Sequence, residues 1–251
     1  MGSINGRLRL ATYRRVDIVT KRVPHSYRDR LNHDVQMNFT SAPFVYRSEV
    51  VYDDNRRNYV HSIFPYTSKP LVEGINWTDE TLSYMRGRGT ANKILYSILK
   101  PKFSTFNVVD ATANIGGDTI NSRLAPFVLS VKAYEPDPDR FRMLTNNLRL
   151  YGIEDTVQAY NRPFDYVIPA NSVVLLDPPF DNFAIEDRSI YDTLADIVPR
   201  AAVVLNAPVD FLFSTREATR MRARVECYRF RGKRVKVYLI TRGRGLGNYT
   251  L

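Results

Sequence analysis

The sequence predicts an α/β fold, a three-layer sandwich whose mostly parallel sheet is closed at its C-terminal edge by an antiparallel hairpin. Three stretches carry this reading. Phe106-Asn107-Val108-Val109 is a short apolar run of buried-strand character that passes through a small-residue turn into a segment able to open a helix. Val173-Val174-Leu175-Leu176 is a second such run, and it ends abruptly in Asp177-Pro178-Pro179-Phe180. Residues 225–230 and 235–240 read as two strands joined by Arg231-Gly232-Lys233-Arg234, a hairpin.

Composition narrows the class. The chain has 251 residues, 44% of them hydrophobic, enough for one sizeable core or a core with an appendage. Its 36 Lys and Arg against 26 Asp and Glu, a formal +10, favour a polyanionic partner, most simply nucleic acid. No apolar run approaches the roughly 20 residues needed to span a bilayer, and the N-terminus has no signal-peptide core, so no membrane partner is expected. Gly2 is followed by Gly6 where a myristoylation signal needs Ser or Thr. Cys227, the one cysteine, cannot form an intramolecular disulfide or a zinc site, and His25, His33 and His61 lack metal-ligand spacing. The expected location is therefore intracellular, cytoplasmic or nuclear, and no metal is expected.

Taken in order, residues 1–75 form a basic, tyrosine-rich N-terminal extension and residues 76–251 the main domain. Residues 1–70 hold twelve Lys and Arg against six Asp and Glu, with short apolar alternations at Phe44-Val45-Tyr46 and Val50-Val51-Tyr52. Basic side chains interleaved with aromatics suit phosphates and bases, and a plain N-terminal arm or a docking segment for a protein partner is the equal alternative. Trp77 stands at the junction, able to stack on a base, although a lone Trp more often belongs to the core. Thr78 is a good N-cap, with Asp79 and Glu80 in the first turn of a short helix running to Met85. Arg86-Gly87-Arg88-Gly89 breaks it. Thr90 caps a second helix with Ile94, Leu95, Ile98 and Leu99 on one face, ending before Pro101.

The first strand, 106–109, leads into Asp110-Ala111-Thr112-Ala113-Asn114-Ile115-Gly116-Gly117. A strand, a small-residue turn and a helix N-terminus make a nucleotide-binding corner, where glycines admit close backbone approach. Asn114 stands where the strict dinucleotide pattern has its first glycine, and Asn tolerates left-handed backbone. Residues 127–134 form the second strand, ending at Glu135, which is placed to accept hydrogen bonds from both hydroxyls of a ribose. Pro136-Asp137-Pro138-Asp139 opens a helix through Leu150, stopped by Gly152. Residues 156–160 form the third strand, followed by Asn161. After the fourth strand, 173–176, Asp181-Asn182-Phe183 is a loop able to shape a base pocket. Residues 190–197 form a helix, 201–205 the fifth strand, and the hairpin supplies the sixth and seventh. Residues 220–244 hold ten Lys and Arg and one acidic residue, Glu226. Charge of this kind protects a sheet edge, but so one-sided a bias favours contact with a nucleic-acid backbone.

The two prolines after Asp177 withdraw two amide donors, so its carboxylate and the neighbouring carbonyls are expected to face a pocket unpaired. A carboxylate, open carbonyls and an aromatic ring at a strand end suit a flat base carrying an exocyclic amine.

Together, residues 110–120 and Asp177-Pro178-Pro179-Phe180 resemble, in order and spacing, the class I S-adenosylmethionine-dependent methyltransferases. The second motif resembles the [Asp/Asn/Ser]-Pro-Pro-aromatic signature of the branch that methylates exocyclic amines. The likeness runs from about Asn76 to Gly243. Within the branch the chain is most similar to the cap trimethylguanosine synthases, through the Asp-Ala…Gly-Gly-Asp-Thr-Ile turn, the Asn-Asn…Tyr-Gly-Ile helix end, the strand Val203-Val204-Leu205-Asn206-Ala207-Pro208 and the closing basic hairpin. The bacterial guanine-N2 ribosomal RNA methyltransferases are a near second. The resemblance implies a Rossmann-like class I methyltransferase sandwich with a mostly parallel seven-stranded sheet and S-adenosyl-L-methionine as cofactor. It places Asp110, Ala111, Thr112, Asn114, Gly116, Gly117, Glu135, Pro136, Asn161 and Asp177 around that cofactor. Asp177 and the Pro178 carbonyl would accept the amine's protons, and Phe180 would stack on the base. Trp77, Arg229, Arg231, Lys233 and Arg234 would hold a capped or structured RNA. The implied reaction is methyl transfer to an exocyclic amine in RNA, most simply guanine N2, with the cap guanine as one target. Ribosomal RNA guanine, adenine N6 in DNA, and a catalytically inactive subunit that binds RNA or a partner are the alternatives.

Overall fold

The computed structural model describes residues 15–17, 60, 62–65, 73–180, 183–185, 187–231 and 233–250. The alternations at 44–52, His25, His33, His61, the loop residues Asp181 and Asn182, and Gly232 lie outside the described residues.

The strands are β1 (Arg15–Asp17), β2 (Phe106–Asp110), β3 (Val128–Tyr134), β4 (Val157–Tyr160), β5 (Ser172–Leu176), β6 (Ala184–Ile185), β7 (Arg188–Ser189), β8 (Ala202–Pro208), β9 (Ala223–Arg229), β10 (Val235–Arg242) and β11 (Gly245–Thr250). The helices are α1 (Asp79–Ser83), α2 (Arg88–Asn92), α3 (Gly117–Arg123), α4 (Pro138–Leu150), α5 (Ile190–Ile197) and α6 (Thr215–Arg220). One sheet runs in the order β1-β11-β9-β10-β8-β5-β2-β3-β4, and β6 pairs only with β7. From β4 to β8 neighbouring strands are parallel, whereas β10 is antiparallel to both β8 and β9. This is the expected sandwich with its antiparallel closing pair.

Among the described residues the sheet has nine strands where seven were expected, because β11 and β1 extend the edge beyond β9. Gly243 at φ 144° and Gly245 at φ 130° turn the chain straight out of β10, and β11 then runs parallel to β9. Tyr249 stacks on Tyr228 at 4.8 Å between ring centroids and pins the added strand. Gly-Leu-Gly-Asn-Tyr carries too little β-branched character to read as a strand by itself.

Parallel strands covered on both faces must be apolar on both faces, and β2 and β5 are. Alternation then divides their side chains. Val108, Val173 and Leu175 join a cluster with Ile94, Leu95, Ile98 and Leu99 and with Ile120, Leu144 and Leu148. Val109, Val174 and Leu176 join the opposite cluster with Ile190, Leu194 and Ile197 of α5. Val60, Ile63, Phe64 and Ile75 complete the first cluster, so residues before 76 take part in the core.

Local chemistry sets the helix ends. Thr78 caps α1, accepting from the Thr81 amide while the Thr81 hydroxyl accepts from the Thr78 amide. Thr90 is not an N-cap: α2 begins at Arg88 after Gly87, and Thr90 is buried within its first turns. The helix continues as a π-helical stretch, Lys93–Leu99, which still buries the four expected apolar residues. Gly116 caps α3 in the left-handed region at φ 97°, where a Cβ would lie 2.7 Å from Leu144 Cδ1. Gly116→Ala should therefore destabilise the fold by about 1–3 kcal/mol. Urea denaturation measures this, and a change below about 0.5 kcal/mol would mean that the turn relaxes without strain.

Candidate active site

The site forms at the C-terminal edge of β2, β3, β5 and β8, where open α/β sheets offer a crevice. Asp110 ends β2 and is buried. Its Oδ2 accepts from the Thr119 hydroxyl at 2.6 Å and its Oδ1 from the Thr112 amide at 3.4 Å, so it ties the turn to α3. Asn114 adopts φ 49°, the left-handed conformation that the missing glycine required. Its amide donates to Glu135 Oε2 at 2.8 Å, and its Nδ2 donates to the Thr81 carbonyl at 3.1 Å. Its Oδ1 is buried without a hydrogen-bond partner among the described residues. Glu135 Oε1 accepts from the Asp137 amide at 3.0 Å. Burial raises the pKa of Glu135, against the pull of the Asp137 amide and of Arg140.

A cavity of about 400 Å³ opens over this turn. Ala111, Thr112, Ala113, Asn114, Glu135 and Pro136 form one side, and Pro163, Phe164 and Ile185 give it an apolar face. A second cavity, of about 390 Å³, is lined by Asp177, Pro178, Phe180, Asn206, Lys233 and Arg234. Tyr84, Met85, Arg86 and Asp177 line both and form the partition between them. Gly117 holds this partition close: a Cβ there would meet Met85 Cε at 2.3 Å and Ile63 Cγ2 at 3.2 Å.

Asp177 does not stand unpaired as its sequence context predicted. Its amide donates to Thr112 Oγ1 at 2.9 Å, its Oδ1 accepts from Asn206 Nδ2 at 2.7 Å, and its Oδ2 lies 3.5 Å from Arg86 Nη2. Arg86 Nη1 reaches Asp118 Oδ2 at 3.1 Å. The Pro179 carbonyl is also engaged, accepting from the Phe183 amide at 3.0 Å. Neither Arg86 nor Asn206 has a local signature. Arg86 reads as part of a helix break, and Asn206 becomes a partner only because β8 lies beside β5.

Burial pushes Asp177 up to about 6, opposed by Arg86 and by the Asn206 hydrogen bond and helped by Asp118. Its side chain keeps 19% of its surface accessible, so it faces the cavities and not bulk water. Burial, and then the charge of Asp118, push Asp110 up to about 7 despite the hydrogen bonds from Thr119 and Thr112.

The sequence-predicted residues divide by place. Ala111, Thr112, Asn114, Glu135, Pro136 and Asp177 line the first cavity, and Asp177, Pro178, Phe180, Lys233 and Arg234 line the second. Asp110, Gly116 and Gly117 shape the turn from behind and are not among the lining residues. Asn161 donates from Nδ2 to the carbonyls of Glu135 at 2.9 Å and Pro136 at 3.1 Å, clasping the backbone beside the cavity. Trp77 is half-buried against the first core cluster. Arg229 and Arg231 are exposed on the hairpin near its turn. The basic stretch is split, since the pairing of Arg242 with Ala223 and of Lys236 with Arg229 puts Arg222, Arg242 and Arg244 at the far end of the hairpin.

No protein-family model and no curated protein matches the chain. Among solved structures, similarity extends to a conserved hypothetical protein from Streptococcus pyogenes, with 15% identity, TM-score 0.46, and 63% of this chain and 98% of that one covered. A candidate methylase from Haemophilus influenzae shares 18% identity over 62% of this chain and 99% of that one, with TM-score 0.46. An rRNA methylase from Streptococcus thermophilus shares 15% over 63% and 98%, with TM-score 0.43.

The carboxylates predict a pH dependence of stability. Asp110 has an ordinary value of 3.8 when unfolded and about 7 when folded, so the native state holds the extra proton across that window. Its contribution is full below the unfolded value and is lost as pH rises through about 7. Wild type should therefore lose stability relative to Asp110→Asn by about 1 kcal/mol per pH unit between pH 5 and 7. Paired thermal melts check this, and a pH-independent difference would assign Asp110 an ordinary acidity.

Proposed function

We propose that this protein transfers a methyl group from S-adenosylmethionine to an exocyclic amine of a nucleobase in RNA, with guanine N2 as the position and a cap guanine as the first target to test. The observation that carries the reading is the meeting of two cavities of near-equal volume at Asp177, one over a nucleotide-binding turn and the other with a basic mouth.

The residues of the first cavity fit S-adenosylmethionine. Each Glu135 oxygen accepts one amide and keeps a lone pair, which suits a ribose diol. Pro163, Phe164 and Ile185 offer a flat apolar slot for adenine, and the partnerless Oδ1 of Asn114 suits an ammonium group. When bound, the cofactor supplies an electrophilic methyl carried on a sulfonium.

The second cavity handles the acceptor. An exocyclic amine is a poor nucleophile because its lone pair is delocalised into the ring, so catalysis must come from orientation and from acceptors already in place. Asn206 and Thr112 fix Asp177 from two sides, leaving Oδ2 to accept from the amine. Phe180, 40% exposed, supplies the stacking face, and Lys233 and Arg234 hold phosphate. The exposed Arg229 and Arg231 extend that phosphate contact, and residues before 76 are the place for a protein partner.

A tritiated-methyl assay on capped RNA, uncapped RNA and DNA tests the reading, and methyl transfer to capped RNA above the other two is the expected result. Asp177→Ala should lower turnover at least about a hundredfold with little change in cofactor affinity. Glu135→Ala should weaken S-adenosylmethionine by roughly 1–3 kcal/mol in calorimetry. Unchanged affinity in that variant would remove Glu135 from the cofactor site. Cofactor binding without transfer to any nucleic acid would favour the non-catalytic subunit, for which the occupied carboxylate of Asp177 is the supporting observation.

A further inference from the structure

Arg86 is nearly fully buried, with 4% of its side chain accessible, and it sits in the partition between the two cavities. Its Nη1 pairs with Asp118, but its Nε and Nη2 have no hydrogen-bond partner among the described residues. A buried guanidinium with orphan donors is costly, and structural arginines usually satisfy their forks. Here geometry gives up hydrogen bonds for charge. Nη2 is 3.5 Å from Asp177 Oδ2 without the alignment of a hydrogen bond, so it neutralises that oxygen while leaving its lone pairs open.

We infer, on the proposed amine-methyltransferase reading, that Arg86 is a positioning residue that keeps Asp177 ionised, and hence able to accept from the amine, in a pocket whose burial, with Asp118 nearby, would drive it to protonate.

The groups around Asp177 make this necessary. Asp110 and Asp118 approach from the β2–α3 turn, and Arg86 follows α1. Lys233 and Arg234 line the second cavity from the hairpin turn, whereas Glu135 and Arg140 line the first. A carboxylate acts as an acceptor only when ionised, because the acid form turns one oxygen into a donor. Burial and Asp118 raise Asp177, and Arg86 is the largest charge opposing them. Without Arg86 the acid form would dominate at neutral pH, and Asp177 would offer a proton where the amine also brings one.

The test is the pH profile of turnover in wild type, Arg86→Met, Arg86→Lys and Asp118→Asn. The wild-type acid limb should fall near about 6. In Arg86→Met it should rise by about two pH units, with turnover down about tenfold at pH 7 and recovering to within about threefold of wild type at pH 8.5. Arg86→Lys, which keeps the charge, should leave the limb near wild type, and Asp118→Asn should lower it. A uniform loss at every pH with an unmoved limb, or Arg86→Lys behaving as Arg86→Met, would overturn the inference and leave Arg86 a structural ion pair. If Arg86→Met does not fold, Arg86→Gln, which removes the charge and keeps polar contacts, should raise the limb in the same way, and an unmoved limb there would overturn the inference. Carbon-13 titration of the Asp177 carboxyl needs no substrate and should shift in the same directions. It keeps the inference falsifiable if wild type transfers no methyl to any RNA, the result that would instead overturn the proposed function.

Discussion

Three carboxylates and one guanidinium share a small volume at the edge of the sheet, and the arrangement around them follows from keeping that charge in place. Asp110, Asp118 and Asp177 arrive from the end of β2, the start of α3 and the end of β5, and Arg86 arrives from the loop between α1 and α2. Burying like charges together is unfavourable unless they are paired, hydrogen-bonded or protonated. The site uses all three: Thr119 and Thr112 bond Asp110, Arg86 neutralises Asp118 and Asp177, and burial, with the charge of Asp118 added to it, raises the pKa of both Asp110 and Asp177 toward protonation.

That cluster is held by packing farther away. β2 and β5 run parallel as neighbours with Asp110 opposite Leu175, so Asp110 and Asp177 both emerge at the same edge of the sheet. Gly117 admits Met85 against the turn, and Asn114 reaches Thr81, so the segment that carries Arg86 is fastened to the turn between β2 and α3. The two cavities are thus coupled by contact, since their shared wall is built from the residues so fastened.

Much of this was legible. The seven central strands follow from their apolar runs. The strained turn was readable because Asn and Gly are the residues that tolerate left-handed backbone, at φ 49° for Asn114 and 97° for Gly116. Thr90 was misread because a threonine before an apolar face looks like a cap, and only the contacts of Arg88 with the Phe64 carbonyl and of Gly87 with Thr90 start the helix two residues earlier. β11 was missed because a strand held by pairing with β9 and β1 and by the Tyr249–Tyr228 stack needs little strand propensity of its own.

What the sequence determined is local: which segments are strands, where the backbone must turn left-handed, that Asp177 ends a strand before two residues without amide hydrogens, and that the chain is basic. Each rests on the chemistry of one residue and its near neighbours. The tertiary structure decided which side chains meet. It placed Asn206 and Arg86 on Asp177, from 29 and 91 residues away, and turned a predicted open carboxylate into a held one. It set Asn161 on backbone carbonyls and Trp77 against the core, and it separated Lys233 and Arg234 from Arg242 and Arg244 by the length of the hairpin. These outcomes depend on strand order and register, and no spacing along one chain encodes them, because side chains far apart in sequence become neighbours only when the sheet brings their strands together.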